Sequence, residues 1–236
     1  MQEVPRHRAP AMGVIPRKES CTLGRLMARF YDRVMKQSEG ACLSAWRKEL
    51  LENVNGHVLE VGAGTGVNLS FYPKTVQRVV MAEPDPHMRA KLADRIVSHG
   101  VASAQISDGS LESLPFPDGE FNFVTCMLVL CSVPDLNHAL REIRRVLVPG
   151  GRLVFMEHVA AEDRSNRLKW QRRLEPLWKS VSGNCHFTRK TEQAILDSGF
   201  KMEQIQRESM RKSMPLTRPT IRGVAVRQSR STTVSS

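Results

Sequence analysis

Three glycines at alternate positions, Gly62, Gly64 and Gly66, follow a run of strand character, His57-Val58-Leu59-Glu60-Val61. A strand that ends in such a turn and passes into a helix brings backbone N–H groups up to a bound ligand with no side chain in the way. Glu83 stands 19 residues beyond Gly64 and closes a second apolar stretch, 77–83. There the second strand of a βαβ unit sets a carboxylate on a ribose diol. A third stretch, 102–107, ends at Asp108-Gly109. The spacing is that of a site for a nucleoside-bearing ligand, and it excludes two common ones. A dinucleotide fingerprint needs its third glycine at position 67, where this chain has Val67, and a P-loop needs a Gly-Lys-Ser/Thr that is absent here.

A second set of side chains is suited to handling a substrate: Tyr31, Cys131, His138, His158, Cys185 and His186. His158 follows a fifth strand, 152–157. The carboxyl ends of parallel strands face the site in open α/β sheets, and an ordinary imidazole pKa suits a general base near neutrality. Cys131 lies in an apolar strand-end run, where a small buried thiol is the plain alternative. Asn184-Cys185-His186 stands in a polar stretch before a helix cap, and loop polarity alone also accounts for it. Adjacent Cys and His do not supply four ligands, so no metal is expected.

The elements that must position these groups alternate between β and α. Residues 22–34 carry Leu23, Leu26, Met27, Phe30, Tyr31 and Val34 at three- and four-residue steps, one apolar helix face. A second helix holds Leu43, Trp46, Leu50 and Leu51. A short helix is expected after Gly66, and a helix from Pro86, a residue that fits a first turn. Another runs over 136–147 with Asp135 as its cap. Pro176 should kink or split a basic helix over 163–182, and Thr188 should cap a last helix ending at Gly199. Two final strands, 200–207 and 220–226, complete the set. The domain reading is a disordered basic tail over 1–20, one domain over 21–227 and a tail over 228–236. Within the domain, 21–53 are N-terminal helices, 54–158 the ligand-binding core and 159–227 the substrate side.

The 236 residues carry a net charge of +11. Residues 54–158 hold nine Lys/Arg against eleven Asp/Glu, whereas 159–236 hold sixteen against seven, so the excess sits outside the glycine-turn core. A basic flank can meet anionic partners, but a solvated surface is the simpler reading. No RNA-binding signature or zinc-finger spacing occurs, so no nucleic-acid partner is expected. No run of 18 apolar residues is present, and 1–20 lack the apolar segment of a secretory signal. Weak peripheral membrane contact is the most that is expected. Five cysteines without paired C-x-x-C spacing read as reduced thiols of a cytoplasmic protein.

Residues 57–158, with the glycine turn, Glu83, Asp108-Gly109, Ser113-Leu114-Pro115-Phe116-Pro117-Asp118-Gly119 and Leu147-Val148-Pro149-Gly150-Gly151 in that order, resemble the class I S-adenosylmethionine-dependent methyltransferases. Tyr31-Asp32-Arg33-Val34-Met35, Leu128-Val129-Leu130-Cys131-Ser132-Val133, Phe155-Met156-Glu157-His158-Val159-Ala160 and Gly183-Asn184-Cys185-His186-Phe187-Thr188-Arg189 narrow the likeness. They are similar to the methyltransferase-like branch that includes animal thiol methyltransferases and lies close to the quinone-biosynthesis C-methyltransferases. Animal members of that branch carry a hydrophobic N-terminal anchor, from which this chain departs.

The resemblance implies a Rossmann-like seven-stranded, mostly parallel sheet in the order 3-2-1-4-5-7-6, with N-terminal helices as a lid. It implies S-adenosyl-L-methionine as cofactor and a small molecule as methyl acceptor. The implied cofactor set begins with Gly62, Ala63, Gly64, Thr65 and Gly66 around the carboxypropyl and ribose part, with Glu60 supporting the turn from its strand. Glu83 takes the ribose hydroxyls, beside Pro84 and Met88. Asp108 takes the adenine amino group, beside Gly109 and Ser110, and Met127 and Leu128 border the sulfonium. His158 and Tyr31 are the catalytic candidates, and Cys131, Cys185 and His186 lie on the substrate side. A thiol acceptor is the first expectation. A carbon, oxygen or nitrogen centre on a lipophilic or quinone-like metabolite is the alternative, and a non-catalytic module keeping the cofactor fold is the alternative of another class. A protein or RNA methyltransferase would carry Asn/Asp-Pro-Pro-Tyr after the fourth strand, where this chain has Leu130-Cys131-Ser132-Val133.

Overall fold

Seven strands form one sheet: β1 (Gly56–Val61), β2 (Val76–Ala82), β3 (Ala104–Ser107), β4 (Phe121–Met127), β5 (Leu147–His158), β6 (Phe200–Ser209) and β7 (Pro219–Arg227). The computed structural model describes residues 21–101, 103–161 and 166–228, with side chains from residue 29 onward. The tail expected over 1–20, nearly all of the one over 228–236, and the side chains of Leu23, Leu26 and Met27 lie outside the described residues. The strand order is β3-β2-β1-β4-β5-β7-β6, as the resemblance implies. Pairing is parallel from β3 through β5, and β7 runs antiparallel to both β5 and β6. β1 is followed in sequence by β2 on one side and flanked by β4 on the other, which opens a crevice at the carboxyl ends of β1 and β4.

Both faces of the sheet are covered, so the central strands are apolar at consecutive positions. Val58 and Leu59 are both fully buried, on opposite faces. One face packs Leu59, Val124, Leu153 and Phe155 against Leu140, Ile143 and Ile195 of the helices α4 (Leu136–Val146) and α6 (Thr191–Asp197). The other packs Val58, Met81, Phe123 and Met156 against Leu43, Trp46, Leu51 and Leu92, from the N-terminal helices and α3 (Pro86–His99). Each such side chain, fully buried, contributes about 1.5–3 kcal/mol. α3 and α4 begin as their sequences require. Asp85 accepts from the N–H groups of His87 and Met88, and Asp135 accepts from that of His138.

The structure refines three local expectations and overturns a fourth, the cap at Thr188. The two N-terminal helices, α1 (Cys21–Ser38) and α2 (Ser44–Leu51), are joined without a loop by a π-helical turn, Glu39–Leu43. The short helix after the glycine turn is a 3-10 helix, Val67–Phe71, and the Asn68 and Tyr72 side chains turn back to Glu60. α5 (Asn166–Val181) runs unbroken through Pro176. Arg172 and Pro176 are both exposed, so water can take the carbonyl that proline leaves free. Thr188 caps no helix: its N–H and hydroxyl donate to the Glu175 carboxylate of α5, and α6 begins three residues later.

Candidate active site

The glycine turn leaves β1 with positive φ at each glycine: 63° at Gly62, 57° at Gly64 and 80° at Gly66. A Cβ on Gly62 would stand 2.5 Å from Val129, whereas one on Gly64 would meet nothing within 4 Å. The turn is therefore packed behind at Gly62 and open in front at Gly64, a cradle that a side chain would fill. Glu83, just past β2, accepts from the Gly64 N–H at 2.8 Å and from the Asp85 N–H at 2.9 Å. Burial raises its carboxyl pKa, and those two N–H groups work against the rise. Pro84 is exposed beside it, and Met88 is half-buried in the first turn of α3. Asp108 is exposed at the end of β3, and no helix begins directly after it. Gly109 is buried against Pro115, and Ser110 pairs with Ser113.

Beneath the turn, both carboxylate oxygens of Glu60 are occupied, by Asn68 Nδ2 at 2.9 Å and the Tyr72 hydroxyl at 2.8 Å. Burial pushes this carboxyl up to about 7. Glu60 thus supports the turn from below, each of its oxygens holding one side chain of the segment that follows the turn. The same network continues upward. Arg47 of α2, itself buried, donates to Asn68 Oδ1 at 2.7 Å, to the Glu39 carboxylate at 2.9 Å and toward the Met127 sulfur at 3.4 Å. Thr65 donates to Asp32 of α1 at 2.7 Å, and Arg95 of α3 reaches the other Asp32 oxygen at 3.3 Å. The N-terminal helices are therefore fastened to the glycine turn by side chains. Half-buried Tyr31 lies near Arg47, Glu39 and Cys131, and burial pushes its phenol up to about 12.

At the end of β4, Met127 is buried and Leu128 is half-buried with φ of 64°. A non-glycine residue in this region is strained, and such strain gathers at functional sites. Three successive N–H groups beyond it, of Val129, Leu130 and Cys131, donate to the Glu157 carboxylate at 2.9–3.0 Å. Glu157 is fully buried, and burial pushes its carboxyl up to about 7 against the pull of those donors. Since Val129 is what backs Gly62, Glu157 holds the loop that packs against the glycine turn. Sequence reasoning treated Glu157 only as a strand end. The signal available was an acid inside an otherwise apolar parallel strand.

The substrate-side candidates divide. Cys131 and Cys185 are brought together with their sulfurs 3.7 Å apart, both buried. His186 is half-buried, its N–H donating to the Cys131 carbonyl at 2.7 Å, and burial lowers its ring pKa. His138 is not part of the group: its ring lies on α4 against the Glu112 carbonyl. His158 ends β5, on the sheet face shared with Met156 and the N-terminal helices. Its ring bonds the Thr217 carbonyl, and its Nδ1 is buried without a partner. Burial outweighs the carbonyl and pulls the imidazole down to about 4. This sets His158 below the ordinary imidazole range expected of it from the sequence. Among the described residues, no group of three His, Cys, Asp or Glu is placed to hold a metal ion.

Comparison with known proteins agrees with this geometry. A family model described as a methyltransferase domain matches residues 59–155. Thiol S-methyltransferase TMT1A of Homo sapiens is 37% identical over 182 residues, covering 72% of this chain and 70% of that protein. Ubiquinone/menaquinone biosynthesis C-methyltransferase UbiE of Pseudomonas putida is more distant, 31% identical over 139 residues and covering 56% of this chain and 54% of that one. Among solved structures, the [4+2]-cyclase SpnF superposes with a TM-score of 0.71 at 18% identity, over 88% of this chain and 94% of that one, a likeness of fold alone. Sheet order, glycine turn and shared sequence together make this chain a member of the class I S-adenosylmethionine-dependent methyltransferases, in the branch related to the thiol methyltransferases.

Proposed function

We propose that this methyltransferase transfers its methyl group to the sulfur of a small-molecule thiol. The observation that carries the reading is His158. With its imidazole held near 4, it is neutral at physiological pH and a weak proton acceptor. The other groups nearby serve no better. Glu157 is committed to three backbone N–H groups, and Tyr31 is a neutral phenol with its pKa near 12. Glu60 and Glu157, the carboxyls that burial raises to about 7, are both engaged in internal hydrogen bonds, and such a site suits an acceptor that ionises by itself. A thiol of pKa ~8.5 does so, and its thiolate is intrinsically nucleophilic. Similarity to a protein named as a thiol S-methyltransferase points the same way.

S-adenosyl-L-methionine supplies a methyl group already activated on a sulfonium sulfur. The chain then has to hold, align and exclude water, with the reacting atoms roughly 3–3.5 Å apart. The open face of Gly64 and the backbone of 62–66 would receive the carboxypropyl and ribose part, Glu83 the ribose hydroxyls, and Asp108, Gly109 and Ser110 the adenine. Met127 and Leu128 border the sulfonium. α1 and α2, latched through Asp32 and Arg47, close over the site. The four cysteines whose side chains are described, Cys42, Cys126, Cys131 and Cys185, are free thiols, in keeping with a reducing compartment such as the cytoplasm. Among the described residues, no helix is long and apolar enough to cross a membrane.

The test is transfer of labelled methyl from the cofactor to a panel of thiols, phenols, amines and quinols. A thioether product is expected. Label appearing only on a quinol carbon or a phenol would overturn the thiol reading in favour of the alternative that the UbiE similarity supports. Tight cofactor binding with no product on any acceptor would point to a binding module instead.

A further inference from the structure

We propose that Cys131 and Cys185 form an oxidisable dithiol, which a low-molecular-weight disulfide converts to an intramolecular disulfide that stops methyl transfer. The two residues are 54 apart in sequence, yet their sulfurs stand at 3.7 Å. A disulfide needs about 2 Å between sulfurs, a gap that side-chain rotation can close when the backbones already lie side by side. They do so here. The His186 N–H bonds the Cys131 carbonyl at 2.7 Å, Asn184 Nδ2 bonds the Ser132 carbonyl at 2.9 Å, and Arg189 donates to the carbonyls of Leu130 and Val133. The segment 183–189 is thus laid along the loop that leaves β4.

The surroundings assign different tasks to the two sulfurs. Cys185 is 7% exposed and Cys131 1%, so an incoming reagent meets Cys185 first. Their mutual contact lowers the Cys185 thiol and raises that of Cys131, which burial and the Glu157 carboxylate raise further. Cys185 therefore ionises first and attacks one sulfur of the disulfide RSSR, releasing RS⁻ and leaving Cys185 joined to SR. Cys131 gives up its proton and attacks Cys185 Sγ, forming the Cys131–Cys185 bond and releasing the second RS⁻. The protein loses two electrons and two protons, and RSSR becomes two RSH. The bond would fix the loop whose N–H groups Glu157 holds and whose Val129 backs Gly62. Loop 128–133 would then be unable to adjust around an acceptor, while Glu83 and Asp108 stand on other strands and keep their places.

The experiment incubates the reduced full-length protein with excess oxidised glutathione under native conditions, then blocks remaining thiols and maps peptides by mass spectrometry without reduction. The expected result is a linked Cys131–Cys185 peptide lacking two hydrogens, with Cys42 and Cys126 still alkylatable after unfolding. Methyl transfer should fall at least tenfold and return with dithiothreitol, while cofactor affinity changes less than threefold. Cys131→Ser should accumulate the mixed disulfide at Cys185, and Cys185→Ser should form neither species. Free thiols at both positions, a glutathione adduct with no linked peptide in the wild type, or a linked protein with full turnover would each overturn the proposal. The linkage is read by mass, so it stands or falls independently of which acceptor the enzyme uses.

Discussion

Thr65, inside the glycine turn, donates a 2.7 Å hydrogen bond to Asp32 of α1. Thr65 is buried, whereas the Asp32 side chain is 38% exposed and pairs with Arg95 at 3.3 Å. One carboxylate thus ties the N-terminal helix to both the first turn and α3. Asp32→Ala is expected to loosen α1 and weaken cofactor binding about fivefold, the lower range for a partly screened charged hydrogen bond. Calorimetric titration of S-adenosylhomocysteine measures it. An unchanged affinity together with unchanged protease sensitivity of α1 would remove the latch from the account.

Glu83 holds Gly64 and Asp85 by their N–H groups and is the expected acceptor for the ribose hydroxyls. Glu83→Ala removes charge-assisted hydrogen bonds worth about 1.5–3 kcal/mol each, so cofactor affinity should fall by at least about tenfold. Glu83→Gln should retain part of it. Equal affinity in wild type and Glu83→Ala would rule out the assigned role.

Much of this site was legible because its backbone needs are encoded locally. Alternate glycines and acids at strand ends occupy fixed offsets, so the placing of Glu83 beside the Gly64 turn is legible from spacing, and the strand order follows from the resemblance these motifs carry. Groups whose partners are distant in sequence were not legible in that way. The Cys131–Cys185 contact, the three N–H groups on Glu157 and the Asp32–Thr65 bond each join segments at least 26 residues apart. The pKa of His158 depends on burial by neighbours that no offset reveals. Thr188 was misplaced for the same reason: Glu175 on the preceding helix claims the group that a local cap would have used.

Glu157 makes a pH prediction. Its pKa is raised from 4.5 to about 7 in the fold, so the folded state holds the proton more tightly than the unfolded chain. That contribution is complete below about pH 4.5 and lost as pH rises through 7, so it favours the fold less at pH 7 than at pH 5. Glu157→Gln removes the titration and also leaves one loop N–H without its acceptor. Denaturant melts should show the variant less stable at both values, with the deficit shrinking by on the order of 2 kcal/mol from pH 5 to pH 7. A deficit that stays constant or grows would contradict the raised pKa.

The most direct measurement is the pH dependence of labelled methyl transfer to a series of thiols of different acidity, in wild type and in His158→Ala. If acceptor ionisation and positioning carry the reaction, the rate climbs along each thiol's own pKa. No limb near 6.5 is then expected from His158, because burial lowers its imidazole well below that. The variant should lose less than about tenfold in kcat, short of the 10²–10⁴ typical for a lost general base. A thousandfold loss with fold and cofactor affinity intact, together with a limb near 6.5 that is the same for every thiol, would contradict this account and make His158 the proton acceptor of a base-assisted transfer.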